Sequence, residues 1–212
     1  MKNIQIILIV LFIMLLFGYP THGLAKTNDM YIFVDATELP RKLLHSQIKF
    51  KLPDNTALLY LKWWFGHHGP VGAIGNMAGL NFTNSKGETL KWERDWTDVY
   101  RFFLNENVNN SPIQANLTYI CNQPTANTKG CDSYGYPQIG VINWNTIAIY
   151  PEGIPIGDIT VHLKLILPKT WQYGSALPLD HVSGDTLIFK PVTFEEFIDM
   201  PLIGGTNFRT VK

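Results

Sequence analysis

The 212-residue chain balances 17 Lys+Arg against 17 Asp+Glu, with 46% apolar and 13% aromatic residues. Such a composition excludes a disordered chain, and a formal net charge of +0 argues against partners that are read by charge, nucleic acid and anionic membrane surfaces. The length is enough for one sizeable domain, or two small ones, with a real hydrophobic core.

Residues 1–25 read as a targeting segment. Lys2 supplies the positive start, Ile6–Phe17 is an uninterrupted apolar run, Pro20 breaks any helix, and Gly23-Leu24-Ala25 places small residues before a cut. The run falls short of the roughly 20 residues that span a bilayer, which favours cleavage over anchoring. Removal of residues 1–25 takes away Lys2 and no acid, leaving 16 basic against 17 acidic residues. The expected mature domain, residues 26–212, is periplasmic or secreted, with no membrane association after cleavage.

Met30–Val34 reads as a short strand, and Ile48, Phe50 and Leu52 alternate with Gln47, Lys49 and Lys51 as a strand with one wet face. After the turn Pro53-Asp54-Asn55, Leu58–Phe65 reads as a strand buried on both faces. Residues 80–83 and 89–92 form a predicted hairpin around Asn84-Ser85-Lys86-Gly87. Further strands are expected at Val99–Leu104, Ile113–Tyr119, Thr146–Tyr150, Ile159–Leu167 and Leu187–Phe189. The one helical signal is Thr193 followed by Glu196, a capping-box pattern stopped by Pro201. Nine or so short strands with Pro, Gly and Asn between them predict an all-β fold, an antiparallel β-sandwich with one short C-terminal helical turn.

The stretch 59–80 carries glycines at 66, 69, 72, 75 and 79, a pattern for an irregular, closely packed crossing. His67 and His68 lie within it and invite a metal reading, against which stand loop-structural roles. The six histidines, at 22, 45, 67, 68, 162 and 181, include no pair three or four apart, and no His-Glu-x-x-His occurs. His162 falls on the polar face of its strand and reads as a surface residue. Cys121 and Cys131 flank the loop 122–130, and in an oxidising compartment they are expected to pair; an unstrained bond would contribute about 2–3 kcal/mol. A zinc site is the alternative for these two thiols.

No serine lies in Gly-x-Ser-x-Gly, and no phosphate-binding loop or dinucleotide fingerprint appears. Glu93, Asp95 and Asp98 interleave with Trp92, Arg94, Trp96 and Tyr100. A glycosidase pair could be drawn from these acids, but a polar strand end with Arg94 paired to a carboxylate explains them with less. Most of the six tryptophans lie in apolar settings that predict burial, which leaves few for a stacking platform.

Several of these segments, in order, resemble a known family. Leu-Lys-Trp-Trp-Phe-Gly-His-His-Gly-Pro at 61–70, with Met-Ala-Gly-Leu at 77–80, is similar to a Pro-Lys-Trp-x-Pro-Gly-x-His-x-Pro … Ala-Gly-Leu signature. Trp92-Glu93-Arg94-Asp95 with Asp98-Val99-Tyr100, Asn143-Trp144-Asn145 with Tyr150-Pro151, Leu167-Pro168 with Trp171, and Phe194–Gly205 resemble further segments of the same pattern. The pattern is that of the N-terminal domain of glycyl aminopeptidase-like zinc metallopeptidases, peptidase family M-sixty-one. Leu61, Phe65 and Met200 depart from it, and the cysteine loop is this chain's own.

The resemblance implies a non-catalytic β-domain that packs against, or walls the substrate cleft of, a thermolysin-like domain. Zinc, the expected cofactor, would sit in that domain and not in this chain, whose residues include no His-Glu-x-x-His. The expected partner is a separately encoded peptidase catalytic domain, or a peptide. The residues the family motifs single out as an interface are Trp63, Gly66, His68, Pro70, Gly79, Arg94, Asp95, Tyr100, Trp144, Asn145, Tyr150, Asp199 and Pro201. Two other readings stand beside this one. The first is a free-standing exported module that binds peptide or glycan through the 66–79 loop and exposed tryptophans such as Trp63 or Trp96. The second is a small enzyme built around His67 and His68.

Overall fold

Alternating apolar residues build a broad sheet that buries one face. In the computed structural model, which describes residues 28–53, 56–62, 74–108, 110–123 and 132–209, this sheet contains nine strands. Its central strands are β1 (Asn28–Asp35) and β2 (Leu43–Lys51). A 3-10 turn, Leu39–Arg41, joins them and ends at Lys42 in the left-handed region, φ 72°. Beyond β2 come β8 (Pro112–Ile120), β4 (Met77–Asn84) and β5 (Thr89–Leu90). Beyond β1 come β12 (Ile159–Ile166), β15 (Thr186–Phe189) and β14 (Leu179–Ser183), and the two-residue β16 (Val192–Thr193) also pairs with β12.

Two four-stranded sheets complete the described fold. One runs β11 (Ile149–Pro151), β3 (Leu58–Tyr60), β7 (Arg101–Leu104), β6 (Trp92–Arg94). The other runs β13 (Gln172–Ser175), β17 (Leu202–Gly205), β10 (Ile139–Ile142), β9 (Tyr134–Tyr136). The inward residues of all three sheets join one hydrophobic cluster, with Ile48, Tyr60, Phe82, Phe102, Trp144 and Phe197 among its fully buried members. Trp92 ties two sheets together: its ring meets Phe82 of β4 at 6.0 Å and Phe102 of β7 at 5.7 Å, both edge-on.

The expected all-β class is what forms, with one correction. β1 and β12 run parallel, from Asn28 opposite Ile159 to Asp35 opposite Ile166. Period-two alternation shows which side chains face inward and carries no information on the direction of a neighbour that is distant in sequence. The described strands also exceed the nine or so expected. β9, β10, β13, β14 and β17 are short and glycine-containing or exposed, and give little alternation to read.

Helix α1 (Phe194–Asp199) forms where the capping box predicts. The Glu196 amide donates to Thr193 Oγ1 at 3.1 Å, and the Thr193 amide donates to Glu196 Oε2 at 2.9 Å. Phe194, Phe197 and Ile198 face the core, and Pro201 follows the last turn. Glycine is required at Gly135, where an added Cβ would overlap the carbonyl of Leu39 and the backbone of Lys42.

The targeting segment 1–25, the Leu58–Phe65 strand beyond Lys62, and His22, His67 and His68 lie outside the described residues. Cys121 is buried and forms no disulfide among the described residues, which do not include Cys131. Burial pushes its thiol up to about 12.

Ser46 on β2 faces the core at 1% exposure, and its hydroxyl has no hydrogen-bond partner among the described residues. Ser46→Ala removes an unpaired buried hydroxyl, so it is expected to leave stability unchanged or raise it by up to about 1 kcal/mol. Urea unfolding of wild type and variant checks this.

Candidate functional site

The acids of the 92–100 segment are organised by main-chain geometry. β6 ends at Arg94, and the chain turns through residues 95–100 before β7 returns antiparallel to it. Asp95 Oδ1 accepts from the Thr97 amide at 2.8 Å, the Thr97 hydroxyl at 2.8 Å and the Asp98 amide at 3.2 Å. Asp98 Oδ1 accepts from the Tyr100 amide at 3.1 Å, and its Oδ2 accepts from Lys62 Nζ at 3.1 Å. Each carboxylate therefore closes its own turn.

Arg101 then locks the loop to a neighbouring strand. Its Nε and Nη2 donate to the Glu152 carboxylate at 3.0 and 2.6 Å, and its Nη1 donates to Asp95 Oδ2 at 3.2 Å. Glu152 directly follows β11, so one guanidinium spans the sheet from the 95–100 loop to its far edge. The electrostatics follow from these bonds. The Thr97 amide, then its hydroxyl, lower Asp95 from 3.8 to about 2. The Tyr100 amide, then Lys62, lower Asp98, and the hydrogen bond to Glu152 raises Arg101.

At the tip of this braced loop Trp96 is 96% exposed, and Val99 beside it is 48% exposed. Of the other tryptophans, Trp144 and Trp171 are buried and Trp92 is partly buried, while Trp63 and Trp64 lie outside the described residues. Among the four described tryptophans, burial thus accounts for Trp92, Trp144 and Trp171 as the sequence predicts, with Trp96 the exception. An indole held in water by a preordered loop has the form of an interface anchor.

The profile of the Peptidase M61 N-terminal domain matches residues 32–206. The chain belongs to that family. Among solved structures, an aminopeptidase N family protein from Idiomarina loihiensis superposes with a TM-score of 0.68 at 15% identity, over 83% of this chain and 29% of that one. An M1 zinc metallopeptidase E323A mutant from Deinococcus radiodurans, bound to a Tyr-Ser-Ala substrate, gives a TM-score of 0.45 at 11% identity. It covers 84% of this chain and 41% of that one. No curated protein matches. The chain spans less than half the length of either structure.

Six of the described motif residues of this peptidase-family domain fall into two groups in space. Asp95 and Tyr100 sit in the braced loop, with the Lys62 ammonium 5.8 Å from the centre of the Tyr100 ring. Tyr150 belongs to the same sheet through β11; its ring lies 5.0 Å from Phe194, and burial raises its phenol. The second group packs behind α1: Trp144 stacks on Phe197 at 5.2 Å, and its Nε1 donates to the Met200 carbonyl at 2.7 Å. Asn145 is buried beside Trp144, and the Pro201 carbonyl accepts from Ser175 Oγ at 3.1 Å. This group holds the fold together. Asp199 is exposed at the end of α1.

Other expectations are redistributed. Among the described residues Arg94 takes no carboxylate; its guanidinium lies 5.3 Å from the centre of the Phe102 ring, and Arg101 takes Asp95 instead. β6 ends at Arg94, and the turn that follows brings the Asp95 carboxylate to Arg101. Gly79 lies on β4 at a register break between Ala78 and Asn81, with φ +62°, and takes no part in the braced loop. Trp63, Gly66, His68 and Pro70 lie outside the described residues. Among the described residues, no group of three or more His, Cys, Asp or Glu is placed to hold a metal ion. Sequence reading missed Lys62, Arg101 and Glu152 as a set, because Arg101 and Glu152 are 51 positions apart.

Because Asp95 is lowered in the folded state, its contribution to stability is complete above the ordinary carboxylate value. It is lost as the pH falls from 3.8 through about 2. Wild type is therefore expected to lose unfolding free energy more steeply over that interval than Asp95→Asn, as read by urea midpoints at successive pH values.

Proposed function

We propose that this chain is an exported, non-catalytic β-domain that packs against, or walls the substrate cleft of, a zinc-peptidase catalytic domain. The observation that carries this reading is the Trp96 loop. Asp95 and Asp98 close its turns, Arg101 fixes it to Glu152, and a nearly naked indole is left at its tip. A side chain that anchors an interface contributes most when its backbone is ordered before binding. Membership of a peptidase N-terminal domain family, and the longer chain of the Idiomarina loihiensis structure, support a partner that is a further peptidase domain. On this reading zinc and bond cleavage belong to the partner. Export to the periplasm or medium, with a disulfide between Cys121 and Cys131, is part of the same proposal.

The experiment uses residues 26–212 and the His-Glu-x-x-His domain encoded with or beside this chain, mixed and followed by calorimetry. A one-to-one complex is expected, and Trp96→Ala should weaken it by about tenfold or more. Because Trp96 is exposed, its thermal midpoint should match wild type. Absence of a complex, or equal binding by Trp96→Ala, overturns the docking role. Quenching of Trp96 emission by peptides or glycans without such a complex would favour the free-standing binding module.

A further inference from the structure

The outer face of the nine-stranded sheet carries a groove of about 800 Å³ that the docking surface does not use. Its floor is formed by two rungs across three strands. In the first, Tyr31 of β1 stands between His162 of β12 and Lys49 of β2; in the second, Phe33 stands between Lys164 and Gln47. Asp180 and Ser183 of β14 and Thr186 of β15 form one wall. The Tyr31 and His162 rings lie 4.5 Å apart and 12° from parallel, and His162 Nε2 is 2.8 Å from Asp29 Oδ1. Tyr31 nevertheless remains 53% exposed. One of its faces is taken by an imidazole that Asp29 holds in place, and about half of the residue stays open to solvent.

The charges here are unequally committed. Asp29 is engaged by His162, and Asp180 lies 2.8 Å from His181 Nδ1. Among the described residues neither Lys49 nor Lys164 forms an ion pair, so the groove offers two ammonium groups to an anion. They stand on strands either side of β1 and two residues apart along it, about 12 Å between their backbone positions. At that separation they reach successive acidic groups of one chain and not a single carboxylate. The backbone of β1, β2 and β12 is already consumed in ladder pairing, so an extended peptide cannot be added as a strand here. Recognition falls to a flat aromatic face, hydroxyl and amide side chains, and two cations.

We propose that this groove binds an acidic oligosaccharide of the uronic-acid type. The apolar face of one pyranose lies on Tyr31, and carboxylates of neighbouring sugars meet Lys49 and Lys164. Tyrosine gives such a ring an apolar contact without losing its polar tip, while the lysines supply charge-assisted hydrogen bonds. This reading is independent of the docking role, because the groove lies on a different sheet from Trp96.

The test is calorimetric titration of the mature domain with oligogalacturonate at low salt. One saturable site is expected, weakened by added salt. Tyr31→Ala and the double variant Lys49→Ser, Lys164→Ser should each bind about tenfold more weakly or worse, with Tyr31→Phe close to wild type. All these side chains lie on an open face, and unchanged thermal midpoints confirm that the variants fold. Neutral cello-oligosaccharides and monomeric galacturonate should bind at least about tenfold more weakly than the oligomer. No saturable binding of oligogalacturonate overturns the proposal. So does binding that is unchanged in both the Tyr31 and the lysine variants, or equally tight binding of an acidic peptide of the same charge.

Discussion

Arg101 is the constraint on which the surface of this domain depends. Its planar fork meets Glu152 with two edges and Asp95 with the third, so the loop after β6 and the residue after β11 are fixed to each other across a four-stranded sheet. A lysine could not reproduce this, because one ammonium lacks the geometry to satisfy both carboxylates at once. An exposed ion pair by itself contributes little. The fork matters here because it closes a network in which Asp95 and Asp98 have already ordered three amides of the loop. Its product is position: Trp96 is held in water by a loop that has few conformations left to lose.

That position is supported from below. Phe102, beside Arg101 on β7, is fully buried, and Trp92 leans on it while also touching Phe82 of the large sheet. The small sheet therefore cannot move against the large one without opening the shared core. On the other side of the core, Trp144, Phe197 and the Met200 carbonyl fix α1 and the chain that leads into β17. The family motifs divide along this line, one set building a presented surface and the other building the packing that keeps it in register.

Much of the fold was legible in the sequence, for local reasons. The strands of β2, β8 and β12 alternate cleanly because one face of each is wet, β1 shows as a short apolar run, and Thr193 with Glu196 announced α1 by a bond set three residues apart. The parallel pairing of β1 with β12 was not legible, since it joins strands more than a hundred residues apart and leaves no mark on either pattern. The site was read in part. Asp95, Asp98 and Tyr100 could be singled out from family motifs, but local spacing pointed to Arg94 as the carboxylate's partner. The fold selected Arg101, whose side chain lies on the face that Asp95 and Glu152 share. His162 reads from sequence as a surface residue on the polar face of its strand and Tyr31 as part of an apolar run; only their register makes a stacked pair.

Amide hydrogen exchange of the isolated domain measures directly whether the Trp96 loop is ordered before any partner arrives. Slow exchange is expected at the Thr97, Asp98 and Tyr100 amides, each of which donates to a carboxylate. That protection should fall in Arg101→Met while amides of β1 and β12 stay protected. Rapid exchange of the three amides in the wild-type domain, at rates typical of an open loop, would contradict that ordering.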